Sequence, residues 1–179
     1  MKTRLLSLIP VALLAATTLT ACGSDDKSAH GNDVAGGPSE PSFTFTKDLG
    51  CGFGFAKVDD EGENLLSIYH DFDGPKVDST VTFPDKGWTA TVTVGTHLDA
   101  NWCNDVIEDP QAEVAETWEI VEGTLVFEGE VPTFEFDGSG NDQPVRAQLT
   151  NAIVENEDGE QVELGDIALT NTSFGFLAG

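Results

Sequence analysis

Trp88-Thr89-Ala90-Thr91-Val92-Thr93-Val94 alternates, position by position, between an apolar side chain and a threonine. Successive side chains of extended backbone point to opposite faces. The spacing therefore puts Trp88, Ala90, Val92 and Val94 on one side and Thr89, Thr91 and Thr93 on the other. A helix would scatter these residues around its circumference, so the stretch predicts a half-buried β-strand.

Reading outward, Val81 and Phe83 share a face, and Phe83-Pro84-Asp85-Lys86-Gly87 places proline and glycine where a tight hairpin uses them. The two segments are predicted to pair antiparallel. Further strands read as Phe43 to Thr46, Cys51 to Val58, Leu65 to His70, Thr117 to Val121, Thr124 to Glu128 and Thr133 to Asp137. Val145, Ala147 and Leu149 alternate with Arg146 and Gln148 in a segment continuing to Val154, and Glu157-Asp158-Gly159-Glu160 turns it back into Val162, Leu164, Ile167 and Leu169. A last short segment carries Phe174 and Phe176.

No amphipathic helix is expected, because Asn104 to Glu116, the longest candidate, is interrupted by Pro110 and has only Val106 and Ile107 as its apolar pair. Many short strands between glycine-, proline- and Asp-rich turns predict an all-β antiparallel two-sheet sandwich, immunoglobulin-like or jelly-roll, with a closed β-barrel as the alternative.

Cys51-Gly52-Phe53-Gly54-Phe55 puts the cysteine and both phenylalanines on one face and the glycines on the other, where another backbone can approach closely. Trp88 and Trp118 lead apolar faces and read as core. Trp102 stands beside Cys103 in a loop, which makes it, with Tyr69, the candidate for ligand contact.

The sequence ahead of this region is of a different kind. Lys2 and Arg4 precede an apolar run, Leu5 to Ala16, that degrades into Thr17, Thr18 and Thr20 before reaching the 20 or so residues of a membrane span. The run ends in Leu19-Thr20-Ala21-Cys22, which resembles the lipobox of bacterial lipoproteins. The resemblance implies a signal peptide over 1–21 and a mature chain that begins at a lipidated Cys22. It further implies palmitate-type acyl chains that hold the protein at the extracytoplasmic face of the cell membrane. Two or more such chains anchor stably where one does not. Residues 22–41, with Gly36, Gly37, Pro38 and Pro41 and almost no large apolar group, read as a flexible tether, and 42–179 as one domain.

Without the signal, Lys27, Lys47, Lys57, Lys76, Lys86 and Arg146 face 32 acids, a formal charge of six minus 32, or −26. Nucleic acid is excluded as a partner, since its recognition rests on basic groups neutralising phosphates. The same charge keeps the domain off anionic headgroups and suits a solvated surface or a cationic ligand. Beyond Cys22, Cys51 and Cys103 are an even pair in an oxidising compartment and predict a disulfide.

No chemistry is fixed by spacing. His70, His97, Asp71, Asp73 and Asp99 could contribute to a metal site, but nothing sets their geometry. Asp59-Asp60-Glu61-Gly62-Glu63 and Asp137-Gly138-Ser139-Gly140-Asn141-Asp142 are the richest loops for calcium. The second has Asp142 where an EF-hand needs glycine and Gln148 where it needs glutamate. Gly138-Ser139-Gly140 is not a GxSxG turn, and with 32 acids any choice of a glycosidase pair is arbitrary. No catalytic residues and no cofactor are expected. The chain reads as a lipid-anchored extracytoplasmic binding or interaction module for a cell-envelope polymer, a protein or a cation. The alternatives are a cell-envelope hydrolase and a purely structural surface lipoprotein.

Overall fold

In the computed structural model the Trp88 stretch extends with its apolar residues turned inward and its threonines outward, and strands of the same pattern assemble around it. The structure describes residues 41–71, 79–132 and 144–176, within a unit that runs Ser39–Gly179. Cys22, the signal and tether, Asp73, the Phe134/Phe136 strand and the Asp137–Asp142 loop lie outside the described residues.

Among the described residues there are eight strands, β1 Lys47–Leu49, β2 Gly54–Val58, β3 Asn64–His70, β4 Thr80–Phe83, β5 Trp88–Thr96, β6 Glu113–Phe127, β7 Val145–Glu155 and β8 Gln161–Asn171. All pair antiparallel, and no described residue is helical, so the all-β class holds. The strands join in one curled sheet of order β1-β2-β3-β5-β6-β7-β8, with β4 also on β6.

The predicted Val81–Val94 hairpin does not form. Phe83 sits opposite Gly123 and Thr91 opposite Glu119, so β4 and β5 follow one another along the same edge of β6. They are a single broken strand. Asp85 accepts the Gly87 N–H at 2.8 Å, closing a small bulge where a hairpin had been read. The bulge keeps both Phe83 and Trp88 in the core, which a hairpin over these residues would also have done. Proline and glycine signal a turn here without saying that the chain reverses.

Two expected strands, Thr117–Val121 and Thr124–Glu128, are likewise one. β6 runs through Gly123 with shifts of register around Glu122, and a side chain at Gly123 would press on Ala152 of β7 at 3.1 Å. Because β6 pairs β5 in its first half and β4 and β7 in its second, it joins the two halves of the sheet. At the ends, Phe43–Thr46 precedes the ladder, although Phe43 and Phe45 pack on the core, and Phe174 is buried in a turn after β8.

The main core fills the concave side. Phe55, Leu66, Ile68, Trp118, Leu125 and Leu149 are almost fully buried there, with Phe43 edge-on to Trp118 at 5.4 Å. Trp88 and Trp118 are core residues, as expected.

Among the described residues no ladder joins β8 to β1 and β2; a set of ties stands in its place. Asp48 accepts the Thr170 N–H at 3.1 Å, and Lys57 donates to the Ala168 carbonyl at 3.0 Å while its ammonium lies 3.6 Å from Asp48. Asn171, fully buried, donates through its amide to the carbonyls of Gly54 (2.7 Å), Cys51 and Gly52 and accepts the Ser173 N–H at 2.7 Å. Gly52 then exchanges backbone bonds with Phe176 and Gly175. Gly52 has φ 59°, a left-handed conformation that suits glycine. It breaks the alternation read into Cys51–Phe55. Phe53 and Phe55 face the main core, but Cys51 sits with the groups of the convex side.

Candidate functional site

The outer face of β2, β3 and β5 carries Ala56, Val58 and Leu65. A loop covers it. Gly95, at a bulge where a side chain would strike the Glu113 carbonyl, lies one residue before the end of β5, and in the loop that follows Leu98 N–H bonds the Gly62 carbonyl at 2.9 Å. Leu98 thereby drops into a second small core with Leu49, Ala56, Val58 and Leu65, and Trp102 packs against it.

Three successive turns, at His97–Ala100, Asp99–Trp102 and Asn101–Asn104, carry the chain to Cys103. The Cys51–Cys103 disulfide, with Cα atoms 5.6 Å apart, pins the loop to the approach to β2. Asn101 fixes the next stretch, donating to the carbonyls of Glu108 (2.8 Å) and Pro110 (3.2 Å) and accepting the Glu108 N–H at 3.0 Å. On the far side the Lys47 ammonium lies 3.3 Å from the Asp99 carboxylate.

Between this loop and the sheet is an open groove of about 360 Å³, lined by Tyr69, Leu65, Thr93, Trp102, Ala112 and Val114 among others. Tyr69 and Trp102, far apart in sequence, have ring centroids 6.2 Å apart, tilted by 39°. Tyr69 in turn lies over Gly54, where a Cβ would come within 2.7 Å of its ring and 2.2 Å of the Ile68 carbonyl. Tyr69 can therefore lie flat against the sheet only because residue 54 is glycine. Both rings are half-buried, and the Trp102 indole N–H has no acceptor among the described residues.

Burial pushes the Tyr69 hydroxyl up to about 12 from its ordinary 10.0. The folded state thus holds this proton more tightly than the unfolded chain. The resulting stabilisation is present below about pH 10 and is lost as pH rises toward 12. Tyr69 is the only tyrosine, so phenolate absorbance reads it without interference. We expect a midpoint near 12 in the folded protein, moving toward 10 in Trp102→Ala. An unchanged midpoint in that variant would mean that Trp102 does not cover the phenol.

The other sequence candidates disperse. His70 is buried beside Trp88, at 5.2 Å between ring centroids, while His97 and Asp71 are exposed. Asp59 spends its carboxylate on its own loop, accepting the Glu63 N–H at 2.7 Å and the Asn64 amide. Burial alone would raise this carboxyl. The Asn64 amide and the backbone N–H groups of Glu63, Asn64 and Gly62 outweigh it and hold the carboxyl below 3.8. The contribution to stability is present above that value and lost as pH falls through the depressed one. Among the described residues no three His, Cys, Asp or Glu groups gather as metal ligands.

Sequence reading missed Leu98, Asn101 and Val114 as builders of the groove, since nothing in their spacing marks which face of the sheet the loop will cover. No family model, no curated protein and no solved structure matches the chain.

Proposed function

We propose that this chain is a lipid-anchored extracytoplasmic binding module, held at the membrane through Cys22, and that the Tyr69–Trp102 groove is its contact surface. The carrying observation is the pairing of two half-buried aromatic rings at an open, largely apolar groove whose covering loop is fixed by a disulfide. Rigid aromatic groups with a polar tip supply contact area at small cost in conformational freedom. The two halves of the sheet that meet at β6 serve as the layers of a sandwich-like scaffold that presents the groove on its convex side.

Two measurements test the reading. Cys22→Ala should abolish labelling by a fatty-acid probe and release the protein from membranes; a variant that remains labelled and membrane-bound defeats the anchor. For the groove, the mature chain is titrated with solubilised cell-wall fragments and with short peptides of differing charge. At least one class should bind, about tenfold more weakly in Trp102→Ala with its melting transition retained. Binding of none, or binding indifferent to Trp102, removes the groove from consideration.

A further inference from the structure

The charge of the loop that covers the groove indicates what it would take. Residues 97–114 carry Asp99, Asp105, Glu108, Asp109 and Glu113 and neither lysine nor arginine. Asn101, which lines the groove, holds the backbone of Glu108 and Pro110 against the same loop, so the acidic Glu108-Asp109 pair is fixed beside it. Lys47, on the far side of the loop, is already paired with Asp99. An aromatic pair beside an acidic loop attracts a cation twice, through the ring faces and through long-range charge.

A bare metal ion does not fit, because the groove walls are apolar and no ligand set gathers among the described residues. An apolar shoulder extends the surface, with Val106 and Ile107 exposed on the loop and Val114, 63 % exposed, at the groove itself. Such a surface suits a chain that brings apolar side chains beside its charges more than a small amine.

Resting on the groove reading above, we propose that the occupant is a basic peptide segment of a partner protein. An arginine or lysine lies over Tyr69 and Trp102, and a neighbouring apolar side chain rests against Val114. Arginine suits the site better than lysine, since its planar guanidinium is weakly hydrated and stacks on rings.

The test uses the mature lipidated chain in neutral detergent micelles and a labelled Gly-Arg-Leu-Arg-Gly amide. The comparison peptide carries citrulline, which keeps the shape and removes the charge. The arginine peptide should bind about tenfold more tightly than the citrulline one, and Trp102→Ala should lose about tenfold. Neutralising Glu108 and Asp109 (Glu108→Gln, Asp109→Asn) should weaken binding severalfold. Neutralising Glu128 and Glu130, exposed at the far end of β6, should not.

Val114→Lys guards against a folding defect, since the site is exposed: it should abolish binding where Val114→Gln does not. Equal binding of both peptides, lost in Trp102→Ala, overturns the cationic partner and leaves the groove standing. Equal losses from the near and far neutralised sets mean attraction by bulk charge alone and overturn the proposal. So does failure of the arginine peptide to bind.

Discussion

Asn171→Ala should cost about 3 kcal/mol and lower the thermal midpoint by roughly 10 °C, with the disulfide intact. The side chain is fully buried, and its amide supplies donors to the carbonyls of Cys51, Gly52 and Gly54 while its oxygen takes the Ser173 N–H. Truncation removes these bonds together and leaves buried acceptors unpaired, the expensive side of hydrogen-bond energetics. It also empties space, which adds a cavity cost. Asn171→Asp keeps the volume and the acceptor but deletes the donors, so it should be at least as destabilised near neutral pH. Urea and thermal melts of both variants decide the matter. A loss below about 1 kcal/mol would mean that water replaces the amide and that the edges of the sheet do not depend on it.

The second large effect belongs to the disulfide. Cys51 and Cys103 are 52 residues apart, and the chain-entropy relation for a loop of that length gives about 4 kcal/mol. Cys51→Ala with Cys103→Ala should therefore melt about 10 to 20 °C lower. The loss should be uneven across the fold. The main core contains neither cysteine, whereas the loop over the second core is pinned by this bond, by the Leu98 contacts and by the Asn101 latch. Reduction should make 97–112 sensitive to protease before the sheet yields and move the Tyr69 phenol toward its ordinary 10.0. Non-reducing peptide mapping of the native protein should recover both cysteines in one linked peptide. If the loop and the sheet become sensitive together, the loop is not a separate unit of stability.

Strand content was legible because period-two alternation is a local property. Trp88–Val94, Leu65–His70 and Val145–Val154 need only their own residues to declare an inner and an outer face. Partnership is not local. Phe83-Pro84-Asp85-Lys86-Gly87 has the composition of a hairpin, but β6 is long enough to accept β4 and β5 one after the other, and that length was hidden by Glu122-Gly123 in its middle. The disulfide followed from counting cysteines. Trp102 and Tyr69 could each be picked as a half-exposed aromatic, but their adjacency rests on Gly95 and Leu98, which steer the loop back across β3 and β5. Nothing local marks Asn171, because an asparagine at a strand end is ordinarily a turn residue and its use as a clasp depends on what arrives from more than a hundred positions away.

A mechanical consequence follows from where the disulfide lies. A pull applied at the N-terminal side of residue 41 strains the packing of Phe43 and Phe45 on the core and then β1. β1 is a three-residue edge strand with few bonds to β2. Beyond Leu49 the chain meets Cys51, where tension is shared with Cys103 through the sulfur bridge. In the oxidised protein the residues between the two cysteines, with β2 to β5, Tyr69 and Trp102 among them, add no length to a chain under tension.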